Sequence, residues 1–599
     1  GDVNAPYFVN VIDGIKNAGG KVNEWLLNYY KDFSKNNPAP HGFWGHWPMS
    51  FEEPHLDDET VKRASEESDV ALVVIGRAAG EDRENTLTKG SYYLTDEERK
   101  LLDQVCNNFS NVTVLLDCGN VIDMQWVLDY NDRLRGIIYA WQGGMESGNA
   151  IADVLYGKVN PSGKLTDTIA IKYEDYPSAK HFGNKLFNMY VEDIFVGYRY
   201  FETFAKEKAL FPFGYGLSYT NFDIELLDFK ADKEKMTAKV QVTNIGKYAG
   251  KEVVELFAMA PQGKLTKPLM SLVSFAKTTE LAPGESQKID LEVPAYNFAS
   301  FDDTGITGHK YAYILEKGEY KFFIGENVRE AQEIGSFEYS EDTVLEELEA
   351  ICAPKEYIDR IIAHKINGSY IPKKVTVKPE KPYLRERIIK NLPKEIGHIV
   401  HNYNFELVKS GEISVETFVS SLNNEELEAL TRGQGGMDSN YGVAGNAGAL
   451  GGIIPELNKK GIPPVITTDG PAGIRVRKYT SLIPCGTALA STFNTELVEK
   501  LATEMGRELR NAGSNVLLAP GMNIHRNVLC GRNFEYFSED PLLTGKMAAA
   551  YVRVFRQAEV LPALSILRAT IRNLSELLTI RLFPSVHFEK FTLKALKFV

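Results

Sequence analysis

The hydrophobic period of the sequence changes partway along the chain, and this change limits the fold more than any single motif does. Between residues 211 and 340, apolar and polar residues alternate along short segments, for example at 237–244 and 320–324. Such alternation is typical of strands that bury one face, and turn sequences such as Ala-Pro-Gly-Glu at 282–285 separate the segments. We therefore predict an immunoglobulin-like or fibronectin type III-like β-sandwich over residues 211–340.

The first 210 residues follow a different pattern, in which strands alternate with helices. Three short apolar runs are typical of buried parallel strands, at 70–76, 112–116 and 136–141. Between the first two runs, Thr95 and Glu98 have the spacing of a capping box at the start of a helix. Strands separated by helices of this length predict a parallel α/β sandwich domain over residues 1–210.

After residue 340 the chain is charged and rich in proline and lysine, and we predict a linker with approach helices over 341–408. The α/β pattern then returns, with strand patterns at 464–468 and 516–520 and helical patterns at 417–429 and 495–511. These strands end in polar, glycine-rich sequence, which predicts the N-terminal part of a (β/α)8 TIM-type barrel over 409–555. Residues 560–599 contain no Gly and no Asp, and we predict an aberrant tail over 556–599. The expected fold class is multidomain α/β.

Composition argues against several classes of partner. The formal net charge of −13 disfavours nucleic acid, and no apolar run is long enough to predict a transmembrane helix. The five cysteines are scattered without a Cys-x-x-Cys or His/Cys cluster, so we expect no disulfide framework, metal or cofactor. This cysteine usage and the lack of a signal-peptide pattern favour the cytoplasm, and the non-Met start suggests a missing N-terminal segment. The sequence leaves the oligomeric state open.

The segment 526–545 is the strongest candidate for a ligand site. It combines two arginines, three carboxylates and three aromatic residues without a helical or strand period, which favours a binding loop. Arg532 can donate to hydroxyl groups, and Glu535 can accept from them. Phe534 and Tyr536 offer flat apolar walls, so the composition suits a polyol ligand. The alternative is a surface loop of ion pairs.

Two more loops follow predicted strands and carry carboxylates. Asp469 comes directly after the strand at 464–468, where barrel enzymes place ligand-binding groups, and can accept from two adjacent hydroxyls. The alternative is a simple Asp-Gly-Pro turn. Glu81 and Glu84 follow the strand at 70–76 in a carboxylate-rich loop that could supply a general acid. The alternative there is a solvated cluster of ion pairs.

Four motifs are weak signals singly and a specific signal together. Two lie in the predicted barrel: Asp469-Gly470-Pro471 with Gly473 and Arg475, and the run 531–541. The other two lie upstream: Asn-Pro-Ser-Gly-Lys-Leu at 160–165, and the aromatic, glycine-rich run 211–220. With these motifs, residues 65–555 resemble glycoside hydrolase family 3. The order of the motifs resembles the β-glucosidases of that family in which the sandwich domain comes first and the barrel last.

The resemblance implies a retaining β-glucosidase that hydrolyses terminal, non-reducing β-D-glucosyl residues. In the family, a barrel aspartate attacks the anomeric carbon, and a sandwich-domain glutamate protonates the leaving oxygen and then activates water. Matching motifs imply that Asp469 and Arg532 contact the sugar and that Arg475 contacts it or braces the loop. Glu81 is the implied acid/base residue, with Glu84 in reserve. A β-xylosidase of the same family and a non-catalytic carbohydrate-binding protein are the alternatives.

The family pattern breaks after residue 541. Neither the Lys-His pair nor the Ser-Asp-Trp motif of the nucleophile follows, and all five tryptophans lie at or before Trp141. We therefore expect a truncated barrel without the nucleophile Asp, and an inactive chain. The coding frame is expected to be lost near 554–560, with a genuine but divergent tail as the alternative. A half-built barrel would expose a sheet edge and apolar faces, which predicts poor stability.

Overall fold

The computed structural model describes most of the chain. The described residues are 3–40, 42–43, 45–130, 132–184, 186–348, 354, 356–379, 384–392, 395–434, 436–557, 560–565 and 580–582. Among them, no helix is both long enough and apolar enough to span a bilayer.

The first domain surrounds a parallel sheet with helices. Its elements are α1 (Val11–Asn17), α2 (Glu24–Asn36), α3 (Asp58–Glu67), β1 (Ala71–Arg77), α4 (Asp96–Asn108), β2 (Val112–Cys118), β3 (Leu134–Tyr139), α5 (Ser147–Leu155), β4 (Ile169–Ala170), β5 (Phe187–Met189), α6 (Tyr198–Phe204) and β6 (Ala209–Phe211). The main sheet has the order β1-β2-β3, and all three strands are parallel. Thr95 and Glu98 form the capping box of α4. The predicted α/β sandwich is confirmed.

The second domain contains strands only, apart from a short 3-10 turn. Its strands are β7 (Phe222–Ala231), β8 (Lys235–Asn244), β9 (Val253–Met259), β10 (Ser271–Lys277), β11 (Ser286–Pro294), β12 (Ser300–Asp302), β13 (Ala312–Leu315), β14 (Gly318–Gly325), β15 (Gln332–Tyr339) and β16 (Thr343–Glu347). Two antiparallel sheets have the orders β10-β9-β14-β15 and β11-β8-β7, and β12-β13-β16 forms a third. In β8, every second residue from Met236 to Val242 is buried, so one face points to the core. The β-sandwich prediction is confirmed.

A β-hairpin occupies part of the stretch predicted to be a linker with helices. β17 (Ile358–Ile366) and β18 (Ser369–Val377) pair antiparallel. They are joined by Asn367 and Gly368, whose φ angles are 50° and 88°. Asn-Gly between two alternating segments is a strong hairpin signal. The linker prediction missed it because it gave more weight to the lysines and prolines of this stretch.

Four short helices lead into the last domain: α7 (Leu384–Lys390), α8 (Glu406–Lys409), α9 (Val415–Ser420) and α10 (Asn424–Arg432). The single helix predicted over 417–429 is therefore wrong, because the structure divides it between α9 and α10. Asn423 accepts from the N–H of Glu426 while the Glu426 carboxylate accepts from the N–H of Asn423. This capping box starts a new helix.

The last domain has the alternation of a barrel. Its elements are β19 (Gly448–Gly451), α11 (Pro455–Lys459), β20 (Pro464–Asp469), α12 (Gly486–Ser491), α13 (Thr495–Ala512), β21 (Val516–Gly521), α14 (Pro541–Gln557), β22 (Leu561–Ser565) and β23 (Ile580–Leu582). β20, β21 and β22 are parallel neighbours, and β19 pairs antiparallel with β20. In the part of the chain that is described, this sheet has four strands, as in a partial barrel. β23 instead pairs with β5 of the first domain.

The structure describes only part of the segment predicted to be an aberrant tail, residues 556–599. β22 continues the barrel pattern to residue 565, past the 554–560 region where the coding frame was expected to be lost. Most of the remaining 556–599 segment lies outside the described residues.

One apolar core connects the three domains. It includes Tyr198 and Phe213 of the first domain, which continues past the predicted boundary at 210 because the first sandwich strand, β7, begins only at Phe222. It also includes residues of the β-sandwich and the barrel, among them Phe257, Leu272, Leu517 and Leu543. The domains are thus packed against one another through a shared interior rather than joined only by their linkers.

Candidate active site at the domain interface

The loop before α14 is buried between the first domain and the barrel. His525 Nδ1 lies 2.8 Å from Asp167 Oδ1, and the Arg526 guanidinium is paired with Glu192. Asn527 Nδ2 donates to Ser178 Oγ over 2.9 Å. A loop with these contacts is not the surface loop of ion pairs that was one reading of its composition. Much of its charge is used to hold two domains together.

Arg532 links the two domains at the centre of the candidate site. Its Nη1 donates to Glu81 Oε1 of the first domain over 2.8 Å, and its Nε donates to Glu535. The side chain of Glu81 is 41% exposed, that of Arg532 is 18% exposed and that of Glu535 is 4% exposed. Glu81 and Arg532 can therefore be reached from solvent. Glu535 lies behind Arg532 and is placed to hold the guanidinium rather than to contact a sugar.

Backbone hydrogen bonds attach the Glu81 loop to the barrel loop. The N–H of Gly80 donates to the carbonyl of Gly531 over 3.0 Å, and the N–H of Asn85 donates to that of Leu529 over 2.9 Å. The Glu84 carboxylate accepts from the N–H of Gly531 over 2.8 Å. The Glu84 carboxylate is thus bonded to the barrel backbone, whereas the Glu81 carboxylate is bonded to the side chain of Arg532.

Asp469 is the last residue of β20, at the carboxyl end of a parallel strand. Its Oδ2 accepts from Arg475 Nη1 over 2.6 Å, and the two side chains are 34% and 22% exposed. Burial raises the pKa of Glu535, while Arg532 and, more weakly, Arg475 act in the opposite direction. Asp469 pairs in register with Leu518 of β21, and the end of β21 at Gly521 lies against the backbone of Glu535. The Asp469–Arg475 pair and the Arg532 loop therefore lie at the same end of the sheet.

Sequence reasoning missed Trp47, which lies against the Glu81 loop. A side chain on Gly80 would overlap the indole ring of Trp47. Arg83 Nε also donates to the carbonyl of Trp47 over 2.9 Å. The residue after Glu81, Asp82, has a positive φ of 58°, which is uncommon outside glycine. Trp47 lies in an irregular, aromatic-rich segment more than thirty residues before Glu81. That local richness in aromatic residues was the sole sequence signal for it.

A second buried carboxylate lies in the same interface. Glu539 accepts from the N–H groups of Thr168 and Tyr198 over 2.9 and 2.8 Å, and from the Thr168 hydroxyl. Burial, and then the charge of Asp167, raises the pKa of Glu539. These contacts hold the segment before α14 against the first domain. Glu539 is therefore a buried interface residue and does not line the exposed site.

The arrangement suits a hydroxyl-rich ligand and proton transfer. Asp469 offers acceptor oxygens and Arg532 offers a planar set of donors, which together match neighbouring hydroxyl groups. Glu81 provides a solvent-accessible carboxyl on the opposite domain. Within the described ranges, no three metal-ligating side chains of His, Cys, Asp or Glu come together.

The chain matches three family models. Residues 1–219 match the glycosyl hydrolase family 3 C-terminal domain, residues 252–328 a fibronectin type III-like domain, and residues 420–565 the glycosyl hydrolase family 3 N-terminal domain. The domain that is N-terminal in the family therefore comes last here. This confirms the rearranged order indicated by the motifs.

Known relatives are β-glucosidases. The chain is 44% identical over 554 residues to a β-glucosidase of Ruminococcus albus, which covers 92% of this chain and 58% of that protein. It is 36% identical over 626 residues to β-glucosidase A of Butyrivibrio fibrisolvens, with 92% and 73% covered. The crystal structure of a β-glucosidase from Paenibacillus barengoltzii superimposes with a TM-score of 0.97 at 41% identity, over all of this chain and 67% of that one. The chain thus spans little more than half of the first of these relatives.

Proposed function

Because this chain belongs to glycoside hydrolase family 3, we propose that it derives from an enzyme that removes terminal, non-reducing β-D-glucosyl residues with retention of configuration. The observation that carries this proposal is the Arg532 guanidinium, which joins Glu81 of one domain to Glu535 of the other. A site formed by a barrel loop and a sandwich-domain carboxylate supports an enzyme that holds a sugar on one side and protonates its leaving group from the other.

The proposed roles follow from exposure and partners. Asp469 and Arg532 bind sugar hydroxyls, and Arg475 holds the Asp469 carboxylate in place. Glu81 donates a proton to the oxygen of the departing group and later removes one from water. Glu84 is the reserve, because its carboxylate is held by the main-chain N–H of Gly531, whereas Glu81 is bonded to a side chain of the site.

We also propose that the 599-residue chain, on its own, binds glucosides without hydrolysing them. Retention requires a carboxylate that forms a bond to the anomeric carbon while the leaving oxygen takes a proton. The family places that carboxylate in a Ser-Asp-Trp motif, and the 599 residues contain none. This observation favours a non-catalytic, carbohydrate-binding role for the chain as it stands.

Calorimetric titration with glucose, paired with assays on aryl β-glucosides and aryl β-xylosides, tests both proposals. We expect glucose to bind and neither aryl glycoside to be cleaved. Asp469→Asn and Arg532→Lys should each weaken glucose binding about 10- to 100-fold, since each disturbs a charge-assisted hydrogen bond. Arg507→Lys, which changes an exposed arginine of α13 paired with Glu504, is the control and should leave the affinity unchanged. Unchanged binding in Asp469→Asn would contradict the proposed site, and aryl glucoside cleavage would contradict the absence of turnover.

A chain extended to include a nucleophile would test the acid/base assignment. In such an enzyme, Glu81→Gln should abolish release of poorly activated aglycones, because no group would protonate the leaving oxygen. Azide should restore turnover of an activated aryl glucoside in the variant of the true acid/base residue. Azide rescue of a Glu84 variant but not of the Glu81 variant would reverse the assignment.

A further inference from the structure

The two upstream family motifs lie where the three domains meet, and neither contributes to the candidate site. The N–H of Leu165 donates to the carbonyl of Tyr215 over 2.8 Å, and the N–H of Gly214 donates to that of Leu165 over 2.9 Å. The motifs at 160–165 and 211–220 are thus bonded to each other. Together they form a surface of the first domain that faces the β-sandwich and the barrel.

One lysine of the β-sandwich contacts both other domains at this junction. Lys277, the last residue of β10, donates from Nζ to the carbonyl of Ser162 over 2.7 Å and to that of Thr492 over 2.8 Å. Ser162 belongs to the first domain, and Thr492 directly follows α12 of the barrel. Because both acceptors are main-chain carbonyls, a single amine fixes the distance between the backbones of two domains.

The contacts around Lys277 join the same three domains. Lys164 of the first domain is paired with Glu252 of the sandwich over 2.8 Å, and both side chains are buried. The N–H of Lys164 donates to the carbonyl of Ser491 in α12 over 2.9 Å. Removal of the Lys277 amine would leave these two carbonyls without that donor in a half-buried polar junction.

Phe493, which follows Thr492 in the barrel, makes aromatic contacts with both other domains at this junction. Phe493 is 1% exposed and has a positive φ of 48°, a conformation that a bulky residue keeps only where its surroundings impose it. Its ring lies 6.0 Å from that of Phe213 in the first domain and 5.4 Å from that of Phe275 in β10. The junction is thus held in a definite arrangement from all three sides.

We propose that Lys277 is a positioning residue for the glucoside site, through which the fibronectin type III-like domain sets the first domain against the barrel. The inference rests on the proposed function, in which Glu81 acts on a sugar bound by Asp469 and Arg532. These residues come from two domains, and reacting groups must be held to within about 1 Å. The Lys277 amine supplies such a constraint because it is bonded to both domains without contacting the site.

Three variants of the full chain test this proposal. Lys277→Met keeps the length of the side chain but removes its donors, and Lys277→Arg keeps donors. Lys239→Met is the third variant. Lys239 is exposed on β8 and pairs with Asp290 at the surface, so it is the matched control. Glucose affinity is measured by calorimetric titration, and coupling between domains is measured by the number of transitions in scanning calorimetry. Lys277→Met should weaken glucose binding about tenfold, because Arg532 is held by Glu81 of the first domain, and it should split a single transition into two.

Lys277→Arg should recover most of both properties, and Lys239→Met should match the wild type. Wild-type affinity and a single transition in Lys277→Met would overturn the proposal. So would equal losses in the Met and Arg variants, because a purely steric role does not depend on the donors. A wild-type chain without glucose binding would instead overturn the proposed function, while the calorimetric transitions would still show whether Lys277 couples the domains.

Discussion

Among single residues, Glu539 is the clearest source of pH dependence. Burial, together with the charge of Asp167, raises the pKa of Glu539 above its ordinary value of 4.5. A carboxyl group with a raised pKa in the folded state contributes its full stability below the ordinary pKa, and this contribution is lost as pH rises through the folded pKa. We therefore predict that the contribution of Glu539 to the free energy of unfolding decreases from about pH 5 to about pH 8.

Glu539→Gln is the test, because it removes the titration. Its amide would face an N–H group that the carboxylate now accepts, so a constant loss of stability is expected at every pH. The decrease with pH, however, should become smaller in denaturant unfolding at about pH 5, 6.5 and 8. Glu504→Gln removes an exposed carboxylate with an ordinary surface partner and should leave the pH dependence unchanged. A parallel pH profile in wild type and Glu539→Gln would count against this role.

Sequence reasoning identified residue types at the site better than their partners. Asp469, Arg532 and Glu81 could be chosen because each lies in a polar loop after a strand or in a family motif. Their contacts could not be predicted, because Glu81 and Arg532 are 451 positions apart and belong to different domains. Glu535 was expected to contact substrate because its pairing with Arg532 could not be predicted from the sequence either. Its burial behind Arg532 depends on packing that no local pattern records.

At the scale of elements, the loop pair 80–85 and 529–531 is held together by close backbone contact. A Cβ on Gly531 would overlap the carbonyl oxygen of Arg83 and lie 2.6 Å from that of Gly80. These are main-chain atoms, which cannot move aside as the end of a flexible side chain can. We predict that Gly531→Ala lowers the free energy of unfolding by about 2–4 kcal/mol and weakens glucose binding, because the two loops must separate.

Thermal unfolding and glucose titration of Gly531→Ala would measure both effects. Gly397→Ala is the control, since Gly397 is exposed and has open space around its Cα, and it should change stability by less than about 0.5 kcal/mol. If Gly531→Ala binds glucose as tightly as the wild type, the loop contact does not position the site.

Elements with a strong local signal were predictable, and those that depend on competing signals were not. β2, β8, β20 and α13 each have a clear local pattern, either a short apolar run or a sustained period, and lie where the patterns indicated. The β17–β18 hairpin was missed although Asn367-Gly368 marks its turn, because lysine and proline content suggested a linker. The break between α9 and α10 was missed because the apolar residues continue across it, while Ser421 caps the end of α9 and Asn423 caps the start of α10.

For the whole molecule, the architecture was predictable as a set of domains but not as one packed unit. Changes of period separate the α/β sandwich, the β-sandwich and the barrel, but they do not show which surfaces of these domains pack together. Beside a core centred on the α/β sandwich and one within the β-sandwich, the structure has an apolar cluster shared by all three domains, with Phe213, Phe257 and Leu543 in it. The barrel part is thus covered in part by the other two domains, which compensates for apolar surface that a partial barrel would expose.

This shared core predicts that the chain stays in one piece when its linker is cut. A specific protease site inserted in the exposed stretch 395–400 should allow cleavage, and both fragments should elute together at the position of the 67.0 kDa chain in gel filtration. The reason is that ion pairs, backbone hydrogen bonds and the common apolar cluster all cross the domain boundaries. Phe213→Ala, which removes a fully buried ring from that cluster, should weaken fragment association about 100-fold or more. Separate elution of the wild-type fragments would show that the linker, and not the shared core, holds the barrel part in place.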